Sequence, residues 1–278
     1  MRLGIDVGGT KIEGALVNDN GQIIDSIRKP TEADKGKKQV LKNILFVIQA
    51  LNSDDVKSIG IGLPGTIGED GKLLFATHIS CINGLNVAKE IEKNIGKKVK
   101  QENDANCFAL AERRFGAAKG YRNVVGVILG TGIGAGVIIN SELYKGFSGS
   151  AGEFGFMRFS EKESFEQICS GIGIVKRYKE KRGRIENPDP ANIFASGELI
   201  AREVVEETYN YLGRFFVNII CAVNPEIIVL GGGLSNLPMT GRIVQELKKY
   251  PFPVLLKNVN IVKNKLGDSS GVIGAAFL

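Results

Sequence analysis

Residues 2–17 read RLGIDVGGTKIEGALV, and residues 123–139 read NVVGVILGTGIGAGVII. Each is an apolar run broken by glycines and followed by a second run with alternating apolar positions, which predicts two antiparallel strands hinged on a glycine turn. Outward from the first stretch, Asn18-Asp19-Asn20-Gly21 is a turn and GQIIDSIRKP resumes the alternation, so a third strand completes a meander. KKQVLKNILFVIQALN then carries Val40, Leu41, Ile44, Leu45, Val47, Ile48 and Leu51 at helical spacing. VKSIGIGLPG predicts a buried strand ending at Pro64-Gly65, LNVAKEIEKNIG an amphipathic helix closed by Gly96, and KVKQENDAN a strand running into a helix that begins near Ala105. Outward from the second stretch, a turn leads into SELYKG as a third strand, followed later by a long helix ELIAREVVEETYNYLGRFFVNIICAVN, a buried strand PEIIVLGGGLS and a closing helix GVIGAAFL. Both halves follow one β-β-β-α-β-α plan. The expected organisation is an α/β protein of two lobes, 1–112 with the closing helix 268–278, and 113–267.

Composition agrees with that organisation. A chain of 278 residues, 43% hydrophobic and 24% charged, has the balance of a soluble globular protein with room for two medium lobes. Its opening, MRLGIDVGG, shows no basic leader or cleavage site and no stretch long enough to span a membrane, so a cytoplasmic protein without membrane partners is expected. Cys81, Cys107, Cys169 and Cys221 form no CxxC pair and read as small, reduced, inert thiols. The net charge of +6 invites an anionic partner, yet the basic clusters at Lys35–Lys38, Lys97–Lys100 and Lys176–Arg184 lack interleaved aromatics. A phosphate-bearing small molecule explains the sign better than nucleic acid.

The glycine turns carry the chemistry. Asp6 ends a buried strand two residues before Gly8-Gly9-Thr10-Lys11, where glycines leave backbone N–H groups open to a phosphate, aided by the Thr10 hydroxyl and the Lys11 charge. Asp6 suits water-mediated Mg²⁺, an ion that keeps most of its waters and takes few protein carboxylates. Gly130-Thr131-Gly132-Ile133-Gly134-Ala135 loosely matches a dinucleotide fingerprint, but Val137-Ile138-Ile139 continues as strand where that fingerprint needs a helix, so the segment is a second hairpin turn. Two such turns opening two repeated halves are expected to face each other with nucleotide phosphates between them. Asn103-Asp104 lies at a strand-to-helix junction, where a carboxylate can orient and deprotonate a hydroxyl nucleophile or simply cap the helix.

DVGGTK, ENDAN at 102–106, GTGIGAG, AGEFG at 151–155 and LGGGLS together resemble, in order and spacing and over essentially the whole chain, the ROK family of sugar kinases. The resemblance implies two RNase H-like lobes of the actin, hexokinase and Hsp70 type, with ATP and sugar in the cleft. It implies ATP-dependent phosphorylation of a sugar hydroxyl with Asp104 as base, ATP and Mg²⁺ as cofactors, and a homodimer. Nucleotide contacts would come from Asp6, Gly8, Gly9, Thr10, Lys11, Gly130, Thr131, Gly132 and Gly134, with Gly231, Gly232 and Gly233 beside the adenosine. Sugar contacts would come from Asn103, Glu153, Glu166, Asn83 and Gly65. Glucose is the first expectation for the acceptor, with N-acetylmannosamine, N-acetylglucosamine or fructose as alternatives. Family repressors carry a helix-turn-helix ahead of the first glycine motif, and Asp6 stands already in the first strand, which argues against a transcription factor. A sugar-independent ATPase and a non-catalytic sugar sensor are the remaining rivals.

The sequence departs from the family at one motif. Members read GEFGH and then a CxCGxxGC segment, whose His and three Cys hold a structural zinc; here Phe156 replaces the His and MRFSEKESFE contains no Cys. With His78 the only histidine in the chain, no four-ligand set can be assembled and zinc is expected to be absent. Phe156, Met157, Phe159 and Phe165 are expected to form an apolar cluster in its place. His78 itself reads as a surface or loop residue.

Overall fold

The computed structural model describes residues 1–251 and 258–278. The chain divides into two units, the first made of Met1–Gly120, Leu143–Ala151 and Leu266–Leu278, the second of Tyr121–Glu142 and Gly152–Lys265.

In the first unit, strands β1 (Arg2–Val7), β2 (Lys11–Val17) and β3 (Ile23–Pro30) form the expected meander, and helix α1 (Lys37–Leu51) follows. Strand β4 (Ser58–Leu63) leads into a small hairpin of β5 (Thr66–Ile67) and β6 (Leu73–Phe75); helix α2 (Val87–Ile95), strand β7 (Val99–Asn103) and helix α3 (Asp104–Phe115) complete the run. The sheet order is β3-β2-β1-β4-β7, with β4 and β7 parallel to β1. Helix α1 lays Val40, Ile44, Val47 and Ile48 onto the sheet, all fully buried, at about 1.5–3 kcal/mol apiece. Gly96 ends α2 in the left-handed conformation, as its position predicted.

The other face of this sheet is covered by α3 and by a short helix from the far end of the chain, Ser270–Ala276. Three glycines let that helix approach. A Cβ on Gly4 would fall 1.9 Å from the Val272 carbonyl oxygen, one on Gly60 1.9 Å from that of Ala275, and one on Gly274 1.8 Å from that of Cys107. Glu112 of α3, fully buried, accepts from the backbone N–H groups of Ala117 and Leu266 and from the Ser270 hydroxyl, so its charge is met by donors, and those from Leu266 and Ser270 tie the late segment to α3.

The second unit repeats the sheet. Strands β8 (Val124–Leu129), β9 (Ile133–Ile139), β10 (Glu142–Leu143), β11 (Ile227–Gly231) and β12 (Asn260–Lys263) run in the order β10-β9-β8-β11-β12, the same arrangement as in the first unit. Between β10 and β11 lie helices α4 (Phe165–Cys169), α5 (Gly171–Glu180), α6 (Pro190–Ala195) and the long α7 (Leu199–Val223); α8 (Met239–Leu247) follows β11. The core gathers Val127, Leu129, Phe165, Tyr178, Leu212, Phe215, Phe216 and Ile228 around α7.

Candidate active site

The first glycine turn is held rigidly from behind. The Gly8 N–H donates to the Lys11 carbonyl (2.8 Å), the Thr31 hydroxyl donates to the Gly8 carbonyl (2.6 Å), and the Thr31 N–H donates to the Thr10 carbonyl (2.9 Å). The carbonyls of Gly8, Thr10 and Lys11 are thus consumed by protein, while the N–H groups of Gly9 and Thr10 have no acceptor among the described residues. That is the polarity an anion needs. Lys11 is exposed and lies 3.9 Å from Glu13, a buried carboxylate that also takes Arg28 at 3.0 Å and the Ser269 hydroxyl at 3.0 Å. Sequence reasoning missed Glu13 and Thr31. The sign of Glu13 was legible, since an acidic residue in an inward position of a strand needs partners.

Asp6 stands half-buried at the end of β1, close to Gly62 and Gly271: a Cβ on Gly271 would lie 2.8 Å from its Oδ2. No hydrogen bond or ion pair holds its carboxylate among the described residues. Loss of water, reinforced by Glu13 and opposed by Lys11, pushes its pKa up to about 6. A carboxylate that has lost water and gained no donor fits a group whose partner arrives with the substrate, and Mg²⁺ held through water satisfies that donor chemistry.

Asn103 and Asp104 differ from expectation in one respect. Helix α3 begins at Asp104, and Asn103 is the cap, its Oδ1 accepting from the Asn106 N–H at 3.0 Å. Asp104 is the first helical residue, its Oδ1 accepting from the Ala105 N–H at 2.8 Å, so capping belongs to its neighbour. The Asn103 amide also donates to the Gly65 carbonyl at 3.0 Å, which fixes the β4 end turn against the start of α3. Gly65 has a φ of 95° and a Cβ there would strike the Phe75 carbonyl oxygen at 2.0 Å, so only glycine closes this turn. Glu102, buried just before, binds the Asn103 N–H and the Asn106 amide and pairs with Lys145 at 2.9 Å. Beneath them, burial and the charges of Glu102, Asp6 and Asp104 push the Cys107 thiol well up, which keeps it protonated and inert.

Asn83 is exposed, with its side chain occupied: Oδ1 accepts from the Ala76 N–H at 3.0 Å and Nδ2 donates to the Ala76 carbonyl at 3.4 Å. It brackets the loop 76–83 locally.

In the second unit a cavity of about 750 Å³ is lined by Gly130, Thr131, Gly171, Ile172, Pro188, Asp189, Gly233, Asn236 and Leu237 among others. Its size and mostly apolar walls suit a nucleoside. The carbonyls of the second glycine turn are again spoken for: the Gly171 N–H donates to Gly130 (2.8 Å) and the Ile172 N–H to Thr131 (3.5 Å), both from the first turn of α5. Of the expected nucleotide glycines, Gly132, Gly134, Gly231 and Gly232 do not line this cavity. Gly232 has a φ of 80° and packs its Cα on the Leu129 carbonyl, which turns the chain so that Gly233 reaches the wall. The 188–191 wall escaped sequence reasoning, although Asp189-Pro190 is a helix start, with the Asp189 side chain accepting from the Asn192 N–H. Glu166 is turned to the second glycine turn, its Oε2 accepting from the Ile133 N–H at 2.8 Å, and Glu153 precedes the short turn Phe154–Phe156.

A family model described as ROK family matches residues 2–278. The chain belongs to the ROK family. Among ROK relatives, it is 34% identical to an N-acetyl-D-glucosamine kinase of Vibrio parahaemolyticus over 304 residues, covering 100% of this chain and 99% of that one. A glucokinase of Thermotoga maritima is 28% identical, with 99% and 96% covered. The crystal structure of a ROK family glucokinase from Streptomyces griseus, in complex with glucose and AMPPNP, superposes with a TM-score of 0.83 at 26% identity, covering 99% of this chain and 98% of that one. The mixed α/β architecture with its two sheets is that of the ROK sugar kinases.

At the ROK zinc motif the expected apolar cluster needs correction. Phe165 is buried, Phe159 stands edge-on against it at 5.6 Å and tilted against Tyr211 at 4.7 Å, and Met157 packs on the same core. Phe156 is outside that cluster, 55% exposed, because the short turn Phe154–Phe156 points it outward. Among the described residues, no group of three or more His, Cys, Asp and Glu is placed to hold a metal ion, and no helix is long and apolar enough to cross a membrane.

Proposed function

We propose that this protein is an ATP-dependent sugar kinase that transfers the terminal phosphoryl group of ATP to a sugar hydroxyl with Asp104 as the base. The observation that carries the reading is the division of labour at the start of α3, where Asn103 caps the helix and the half-buried Asp104 stands beside it as the first helical residue. The sugar hydroxyl gives its proton to Asp104 as its oxygen bonds to the γ-phosphorus; the bond to the β-bridging oxygen breaks and ADP leaves with the electron pair. Gly9 and Thr10 N–H groups, with the Thr10 hydroxyl and Lys11, hold phosphate oxygens in this reading, and the apolar cavity at Gly130, Thr131 and Gly233 takes the nucleoside. When bound, Mg²⁺ neutralises phosphate charge, and Asp6 is the residue that would hold it through water. Asn103, Gly65, Asn83, Glu153 and Glu166 are assigned to the sugar.

Glucose is the first candidate acceptor. An N-acetylhexosamine is the second, supported by the 34% identity to an N-acetyl-D-glucosamine kinase. Dependence on ATP fits work in the cytoplasm. A coupled ADP-release assay over glucose, N-acetylglucosamine, N-acetylmannosamine and fructose tests the reading: turnover is expected only with Mg²⁺ and a sugar together. Fast ATP turnover indifferent to every sugar would replace it with a bare ATPase.

A further inference from the structure

His78 is the only histidine of the chain, and neither the fold nor the proposed transfer uses it. Its backbone is placed firmly. Ala76, two residues before, is bracketed by the Asn83 amide, and Ile79, directly after, is fully buried. The side chain between them is exposed and lies directly against the first glycine turn: a Cβ on Gly9 would sit 2.6 Å from His78 Cβ and 3.4 Å from its Cγ. Gly9 is therefore a glycine because His78 occupies the space its side chain would need. Among the described residues the imidazole has no hydrogen-bond or ion-pair partner.

Among the described residues, the N–H groups of Gly9 and Thr10 also lack a protein acceptor. An oxygen accepting from these groups lies within about 3 Å of their nitrogens. The imidazole root touches the same glycine, so the ring nitrogens come within reach of an anion seated there. An imidazole donates through one nitrogen when neutral and through both, with charge, when protonated.

We propose that His78 is a phosphate-contacting residue of this kinase: its imidazole borders the open side of the Gly8–Lys11 turn and donates a hydrogen bond to the phosphate oxygen held by Gly9 and Thr10. The proposal rests on the reading of that turn as a phosphate clamp. It adds a side-chain donor to a site otherwise built from backbone N–H groups and Lys11.

With one histidine, the imidazole C–H signals in an NMR spectrum belong to His78 alone. AMPPNP with Mg²⁺ is titrated into ¹⁵N-labelled protein while these signals and the Gly9 and Thr10 amides are followed together. Movement of all three, saturating at one nucleotide concentration, is expected. If the Gly9 and Thr10 amides move and the imidazole does not, His78 has no part in phosphate binding and the clamp stands. If none of the three moves, the clamp and the proposal fall together. In the kinase assay, His78→Ala is expected to raise KM for ATP roughly tenfold, the loss of one hydrogen bond to a charged group, with kcat little changed. A KM for ATP left unchanged by this substitution overturns the proposal.

Discussion

The two sheets share one strand order, yet their glycine turns are chemically opposite. In the first unit, Asp6 and Glu13 face each other across the β1–β2 ladder, and the turn between Val7 and Ile12 includes Lys11. At the matching place in the second unit, Ile128 faces Gly134 across the β8–β9 ladder, and the turn between Leu129 and Ile133 holds only Gly130, Thr131 and Gly132. Both turns have their carbonyls taken from behind, by Thr31 in one and by the first turn of α5 in the other. One plan thus gives a charged turn in one copy and an uncharged turn at an apolar cavity in the other. The lesson is that the backbone is braced in a similar way in both copies, and the side chains at only a few register positions decide which copy carries charge.

The comparison breaks if the base is misassigned. Asp104→Asn is expected to lower turnover by at least about 10²-fold, with circular dichroism and nucleotide binding unchanged, because the amide keeps the shape and cannot accept the proton. Near-normal turnover would reduce Asp104 to a first-turn helix residue.

The role of the uncharged copy is sharpened by adjacent glycines. Gly232→Ala puts a Cβ 2.4 Å from the Leu129 carbonyl oxygen at a φ of 80°, and should destabilise the protein by more than about 1 kcal/mol in chemical denaturation. Gly233→Ala meets nothing within 4 Å, so the melting temperature should hold while KM for ATP rises, since the new methyl enters the cavity wall. Equal loss of stability in both variants would show that the cavity assignment is wrong.

The charged copy has a cost that pH reveals. Asp6 titrates near 6 in the fold and near 4 in an unfolded chain, so its ionisation opposes folding. That opposition is absent below about pH 4, grows as pH rises, and is complete above about 6. Asp6→Asn should therefore raise the melting temperature of the ligand-free protein at pH 7.5, lose the advantage near pH 4, and impair use of Mg-ATP. A melting temperature that falls at pH 7.5 would contradict the origin given for the shift.

The smallest effect is expected at Phe156, where exposure predicts that Phe156→Ala changes stability by no more than about 0.5 kcal/mol, against several for a buried phenylalanine such as Phe165. Thermal denaturation of the two alanine variants side by side distinguishes these cases.

Much of this was legible before any coordinates. Glycine turns, alternation and the helical spacing of α1 are local signals, and each of these elements appears where the pattern put it. The cap at α3 was not, because Asn and Asp both suit a helix start and residue type alone cannot say which one bonds the third N–H. Phe156 was misplaced for a related reason: it lies in a single irregular turn, where no period tells inward from outward. Glu13, Thr31 and the Pro188–Ala191 wall act on residues many positions away, and nothing in their own neighbourhoods announces the partner.

The threading of the chain carries a consequence for synthesis. Leu266–Leu278 belongs to the first unit, and the second unit is made entirely before it. On the ribosome, the sheet that carries Asp6 is made first and stays without its C-terminal cover, with Gly4 and Gly60 bare, until Val272 and Ala275 arrive. The second unit, by contrast, has its described β-strands complete by Lys263, so it is free to mature while the first unit waits on Leu266–Leu278.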